Sequence, residues 1–176
     1  QDTDLKRDVV IKEYFPSTWA VRDKESLQVT PRDDQQSMYR YGLKKFLDEA
    51  QTLAKFDAPN LVSVLDYFAE NGTAYFVMKY EQGQDLSEYL QQNKKRLSPQ
   101  QAKQILNSML AALQQLHAKS IVHRDIKPGN IYLRDNGEPL LLDFGAARQA
   151  IGAVTKTITS IVTLGYAPIE QYSSRA

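Results

Sequence analysis

Two short blocks hold the residues best suited to chemistry: His123-Arg124-Asp125-Ile126-Lys127-Pro128-Gly129-Asn130 and Asp143-Phe144-Gly145. Asp125 and Asp143 stand eighteen positions apart, with Lys127 and Asn130 between them. These are the parts that phosphoryl transfer asks for. One carboxylate orients the attacking hydroxyl, a second carboxylate and an amide oxygen hold Mg²⁺, and a cation meets the transferring phosphate. The blocks fix eight residue types. At roughly 5% usage each, chance gives that pattern about once in tens of billions of starting positions, so the spacing carries information. The plainer alternative is a β-hairpin preceded by an unrelated polar turn.

Composition narrows the classes. The chain has 176 residues, enough for a sizeable core in one domain or two small lobes. It carries 22 basic and 21 acidic side chains, a balance that argues against nucleic-acid or membrane-surface binding. There are no cysteines, which excludes disulfides, thiolate chemistry and Cys-based zinc sites. Two histidines, His117 and His123, are too few for a His-rich metal centre. No apolar run approaches the roughly 18 residues of a membrane span, and residues 1–15 do not read as a signal peptide. The expected setting is soluble and cytoplasmic, with any membrane anchor outside this segment.

The elements that must position the two blocks can be read from pattern. Val9-Val10-Ile11 is a brief β-branched run and predicts a strand, with Lys12 directly after it. Residues 16–37 are largely polar and predict a long, partly mobile connection, with Trp19, Ala20 and Val21 the candidates for burial. Leu43, Phe46, Leu47, Ala50, Leu53 and Ala54 recur at helical spacing and predict a helix over 38–56, with Glu49 at its polar edge. Runs at 61–69 and 73–80 flank Asn71-Gly72, a hairpin signal. Ser98-Pro99-Gln100-Gln101 predicts a capped helix start, followed by a stripe of Ile105, Met109, Leu113 and Leu116 joined by Leu106 and Leu110. Ile131-Tyr132-Leu133 and Leu140-Leu141-Leu142 around Asp135-Asn136-Gly137 predict a second hairpin, which would hold Asn130 and Asp143 near each other. Residues 146–164, rich in Thr and Ser, predict a mobile loop.

With these residues in view, the chain resembles a bacterial eukaryotic-like protein Ser/Thr kinase. Val9-Val10-Ile11-Lys12-Glu13-Tyr14-Phe15-Pro16 and Gly165-Tyr166-Ala167-Pro168-Ile169-Glu170-Gln171-Tyr172 extend the likeness beyond the two central blocks. The resemblance implies an α+β, two-lobed protein-kinase-like fold. Residues 1–81 would form a partial antiparallel-sheet N-lobe with one long helix, and 82–176 a partial helical C-lobe through the activation segment. Lys12 would contact the α- and β-phosphates of ATP, with Glu49 as its helix partner. Asp125 would accept the substrate hydroxyl, and Lys127 would steady the γ-phosphate. Asn130 and Asp143 would hold Mg²⁺, or Mn²⁺ in its place. Met78 would back the adenine pocket, while the backbone of Lys79 and Glu81 would bond adenine. Thr163 would brace Asp125 and Lys127. Arg124 beside Asp125 suggests control by a phosphate on Thr155, Thr157, Thr159 or Ser160. Protein substrates and ATP are the implied partners, without nucleic acid and without membrane contact from this segment.

The chain also departs from the family pattern. No glycine precedes Gly42, so the phosphate-covering glycine loop is absent ahead of Lys12. Ile169 stands where proline is usual, and the 37-residue step from Lys12 to Glu49 is long. The chain therefore reads as a kinase domain truncated at both ends, expected to be weakly active or inactive in isolation. A non-catalytic kinase-like binding module and a small-molecule phosphotransferase are the alternatives.

Overall fold

The computed structural model describes residues 6–94, 96–143, 148–149 and 165–171. It divides into two compact units, one of Gln1–Asp57 with Ser63–Tyr80, the other of Ala58–Val62 with Glu81–Ala176.

The first unit is built on three antiparallel strands in the order β1-β5-β4: β1 (Val9–Glu13), β4 (Val64–Glu70) and β5 (Thr73–Lys79). Asn71 and Gly72 both take positive φ, 51° and 72°, which makes the tight turn between β4 and β5. The register places Lys12 opposite Phe76 and Tyr67 opposite Phe76 on its other side. Helix α1 (Gln36–Leu53) lies on this sheet. Phe46 and Ala50 from the helix meet Ala74 and Phe76 from β5, with the Phe46 and Phe76 ring centroids 4.8 Å apart. Each buried phenylalanine contributes about 1.5–3 kcal/mol through apolar area alone. Ala54, read from sequence as the end of the apolar stripe, is exposed because the helix stops at Leu53.

Residues 16–37 correct the expected loop. They contain a short hairpin, β2 (Ala20–Arg22) paired with β3 (Val29–Pro31). Its turn is organised by Asp23, whose Oδ1 accepts from the backbone amides of Glu25 and Ser26 and from the Ser26 hydroxyl. Ala20 and Val29 point inward and pack with Tyr39 of α1 into a second small core. Val21, on the opposite face of a period-two strand, is exposed rather than buried. The hairpin is tied to the β4–β5 turn by Val29 N–H donating to Asn71 O at 2.8 Å.

In the second unit, β6 (Gly83–Asp85) leads into α2 (Leu86–Gln92), with Asp85 accepting from Glu88 N at 3.0 Å as N-cap. Helix α3 (Pro99–Ala118) begins with the capping box read from sequence: Ser98 and Gln101 each bond the other's backbone. It buries Met109, Ala112 and Leu116. Leu106 and Leu110 belong to a different face and are exposed, which corrects their assignment to the apolar stripe. Strand β7 (Ile121–Val122) follows, then β8 (Ile131–Arg134) and β9 (Pro139–Leu141), the hairpin expected around Gly137. The sheet order is β6-β8-β9. Residues 58–62 are sewn to β9 by Leu141 N–H to Asn60 O at 2.8 Å and Val62 N–H to Leu141 O at 3.2 Å. Within the stretch expected to be a loop, β10 (Arg148–Gln149) pairs antiparallel with β7.

Candidate active site

The site residues fall into a group on each unit. In the first, the period-two alternation of β1 sends Lys12 to the α1 side, and Glu49 meets it from the helix. Lys12 Nζ lies 3.1 Å from Glu49 Oε1 and 5.2 Å from the Phe76 ring centroid. The Glu49 side chain is only 7% exposed, so its charge is balanced where water is scarce. Met78, at the end of β5, packs partly buried against the Phe46–Phe76 core. Lys79 donates its backbone N–H to Ser63 O at 3.1 Å.

In the second unit, Asp125, Lys127 and Asn130 form one cluster. Asp125 Oδ2 receives Lys127 Nζ at 2.8 Å and Asn130 Nδ2 at 2.9 Å. Asn130 Nδ2 also donates to the Asp125 carbonyl at 2.8 Å. Both amide hydrogens of this buried asparagine are therefore directed at Asp125, which sets which way its carbonyl oxygen faces. A 3-10 turn, Pro128–Asn130, compresses the step from Lys127 to Asn130, and Asn130 N–H closes it on Lys127 O at 2.9 Å. Glu81, at the start of this unit, is held by its backbone carbonyl accepting from Tyr132 Oη at 3.1 Å. Its carboxylate lies 3.8 Å from Arg134.

The backbone of Leu142 joins the two blocks of sequence. Its N–H donates to Asn130 O at 2.9 Å, and its carbonyl accepts from His123 Nε2 at 3.1 Å. Asp143 comes next, exposed and with φ of 53°, one residue beyond the Leu142 amide that bonds Asn130 O. His123 completes the frame by accepting Asp125 N–H on Nδ1 at 3.3 Å. Burial lowers its pKa, outweighing the Leu142 carbonyl and the carboxylates of Asp143 and Asp125, which favour the charged ring. Sequence reasoning left His123 and Leu142 without roles. The histidine's place in the first block was the available signal; the main-chain role of Leu142 has no residue-type signature.

The donor set suits Mg²⁺. An amide oxygen and a carboxylate are hard ligands, and this ion retains waters and phosphate oxygens for its remaining positions. Asn130 already has its NH₂ group committed to Asp125, leaving oxygen as its ligand atom. Arg124 is exposed at φ of 69°. Its expected partners Thr155, Thr157, Thr159 and Ser160, and also Thr163, lie outside the described residues, as do Phe144 and Gly145. No described helix is long and apolar enough to cross a membrane.

Known proteins resemble this chain in sequence and fold. The sequence profile of the protein kinase domain matches residues 24–175. The chain is 40% identical over 142 residues to serine/threonine-protein kinase D of Synechocystis sp., covering 76% of this chain and 27% of that protein. It is 38% identical over 120 residues to serine/threonine-protein kinase PrkC of Bacillus subtilis, covering 68% and 18% respectively. Against the solved apo form of PpkA-294, the TM-score is 0.85 at 34% identity, over 98% of this chain and 61% of that one. The chain thus spans about a quarter of the curated Synechocystis relative. The PpkA-294 match reaches beyond the profile to take in nearly the whole chain, including the β1 side where the profile stops. On the matched profile, the shared fold and the relatives' sequences, the chain belongs to the protein kinase domain family, beside bacterial Ser/Thr kinases.

Proposed function

We propose that this chain carries the catalytic residues of a protein Ser/Thr kinase, which moves the γ-phosphoryl group of ATP to a serine or threonine hydroxyl of a protein. The observation that supports this most is the Asp125–Lys127–Asn130 cluster. A carboxylate with one oxygen fixed by a lysine and an asparagine is oriented to accept a hydroxyl proton. The substrate oxygen forms a bond to the γ-phosphorus as the bond to the bridging oxygen breaks, ADP leaves, and the hydroxyl proton passes towards Asp125. Lys127 places positive charge where the transferring oxygens carry theirs. Asn130 and Asp143 would hold Mg²⁺, which when bound offsets phosphate charge. Lys12, braced by Glu49, would take the α- and β-phosphates. In this reading the first unit is the N-lobe, contributing Lys12, Glu49, Met78 and Lys79, and the second is the C-lobe through its activation segment. Lys127 two residues after Asp125 supports Ser/Thr over tyrosine specificity. Arg124 is the proposed receiver of a loop phosphate, and the cytoplasm the proposed setting.

The test is transfer of labelled γ-phosphate from Mg-ATP to a generic protein acceptor by the parent-length protein. Asp125→Asn should lower the rate about a thousandfold, the value of several kcal/mol of transition-state stabilisation, while leaving the fold intact by circular dichroism. Equal labelling with and without Asp125 would overturn the proposal.

A further inference from the structure

Helix α1 has a glycine in its interior, Gly42, although glycine is a poor helix former relative to alanine. The reason is spatial. A β-carbon built on Gly42 would land on the Tyr14 hydroxyl and come within 2.9 Å of ring carbon Cζ. Tyr14 follows Lys12 by two residues, so both side chains leave the chain on the same side. Gly42 precedes Glu49 by seven residues, two helical turns, so both lie on one helix face. The strand and helix therefore touch twice along one seam, at Tyr14–Gly42 and at Lys12–Glu49.

Tyr14 is the fixed member of the first contact. Its N–H donates to Ala74 O at 3.0 Å, and its carbonyl accepts from the Thr73 hydroxyl, so β5 holds its backbone from both directions. Its ring lies between Tyr39 and Phe46 of α1, with centroids 5.2 and 5.8 Å away. It touches both small cores, that of the sheet and that of the added hairpin. The hydroxyl is buried against the helix with no hydrogen-bond partner among the described residues. Burial, with Tyr39 beside it, pushes the phenol up to about 12, so it keeps its proton and contributes only bulk to this contact. An orphan hydroxyl of this kind is destabilising, and the helix gives up a β-carbon to admit it.

We propose that Tyr14 and Gly42 are positioning residues: a spacer that sets the height of α1 over β1 and so brings Glu49 to Lys12. The consequence for phosphate binding rests on the kinase reading above; the spacer itself does not. Its test is therefore made on Lys12 directly. The folded chain is acylated with acetic anhydride at limiting reagent, and mass spectrometry follows Lys12 against exposed Lys24 and Lys45. Tyr14→Phe should leave Lys12 protected. Gly42→Ala should speed its labelling about tenfold, the size of a typical single-contact loss. The double variant Y14F/G42A should recover part of the protection, since the hydroxyl that meets the new methyl is gone and only ring carbon Cζ, 2.9 Å away, still has to give way. Wild-type labelling in G42A would overturn the spacer, as would fast labelling that Y14F fails to rescue. If G42A alone melts near the working temperature, the double variant decides: a restored fold with Lys12 still reactive is the refuting result. Absent phosphate transfer in the parent-length protein would reject the kinase reading while leaving the labelling result intact.

Discussion

His123 is 1% exposed and uses both ring nitrogens, Nε2 towards Leu142 O and Nδ1 towards Asp125 N–H. Only the neutral ring with its proton on Nε2 satisfies both partners. A second proton on Nδ1 would confront the Asp125 amide with another donor. Because the folded pKa is lowered, the unfolded chain takes up the proton first as pH falls. The stability that this histidine contributes is whole above the ordinary histidine value of about 6.5 and drains away as the pH drops below it. The urea midpoint should accordingly fall between pH 7.5 and 5.5, and the fall should be smaller in His123→Gln. A drop of equal size in the two proteins would place the pH dependence elsewhere. The proposed chemistry of the site is legible at this scale because phosphoryl transfer would dictate residue types. Asp125, Lys127, Asn130 and Asp143 cannot be exchanged for merely similar residues and keep their proposed work. The buried histidine was less legible, since its duty is to two backbone groups.

The elements were legible where one pattern dominated. The capping box of α3, the Asn71-Gly72 turn and the hairpin around Gly137 each depend on local backbone chemistry that a few residues declare. The β2–β3 hairpin was not, because three-residue strands show only one or two inward side chains, here Ala20 and Val29, and no period can be counted. Its available clue was Asp23 followed by Ser26, a side chain able to close a turn on the backbone. Helix α3 misled for the opposite reason. It carries two apolar stripes, and only contacts show which one is covered. Leu116 is 0% exposed and Leu106 is 58% exposed. Leu116→Ala should cost about 3 kcal/mol through lost burial and a cavity, whereas Leu106→Ala should stay within about 0.5 kcal/mol. Thermal melts of the two variants separate the faces, and similar losses would contradict the burial described.

At the scale of the molecule, the pairing of distant segments follows the two units rather than chain order. Residues 58–62 leave the first unit to join β9 before the chain returns to build β4 and β5. That excursion has no sequence signature: Asn60 serves through its backbone carbonyl and its amide, which reaches Pro139 O at 3.0 Å. Each unit has buried apolar residues of its own, so damage should be partly confined. Phe76→Ala should accelerate amide hydrogen exchange in β1, β5 and α1 by more than in β8 and β9. Uniform acceleration across both units would show them to open as one.

The backbone of Leu142 has a consequence for how such a centre can be probed and how it can drift. Its two bonds belong to atoms that every residue except proline possesses. Replacing the leucine by another side chain leaves both in place, so scanning mutagenesis would pass over this position in silence. The tolerance for change in the letter and the intolerance in the polymer behind it coexist at one address, and proline alone, or chemistry that edits the main chain itself, could tell them apart.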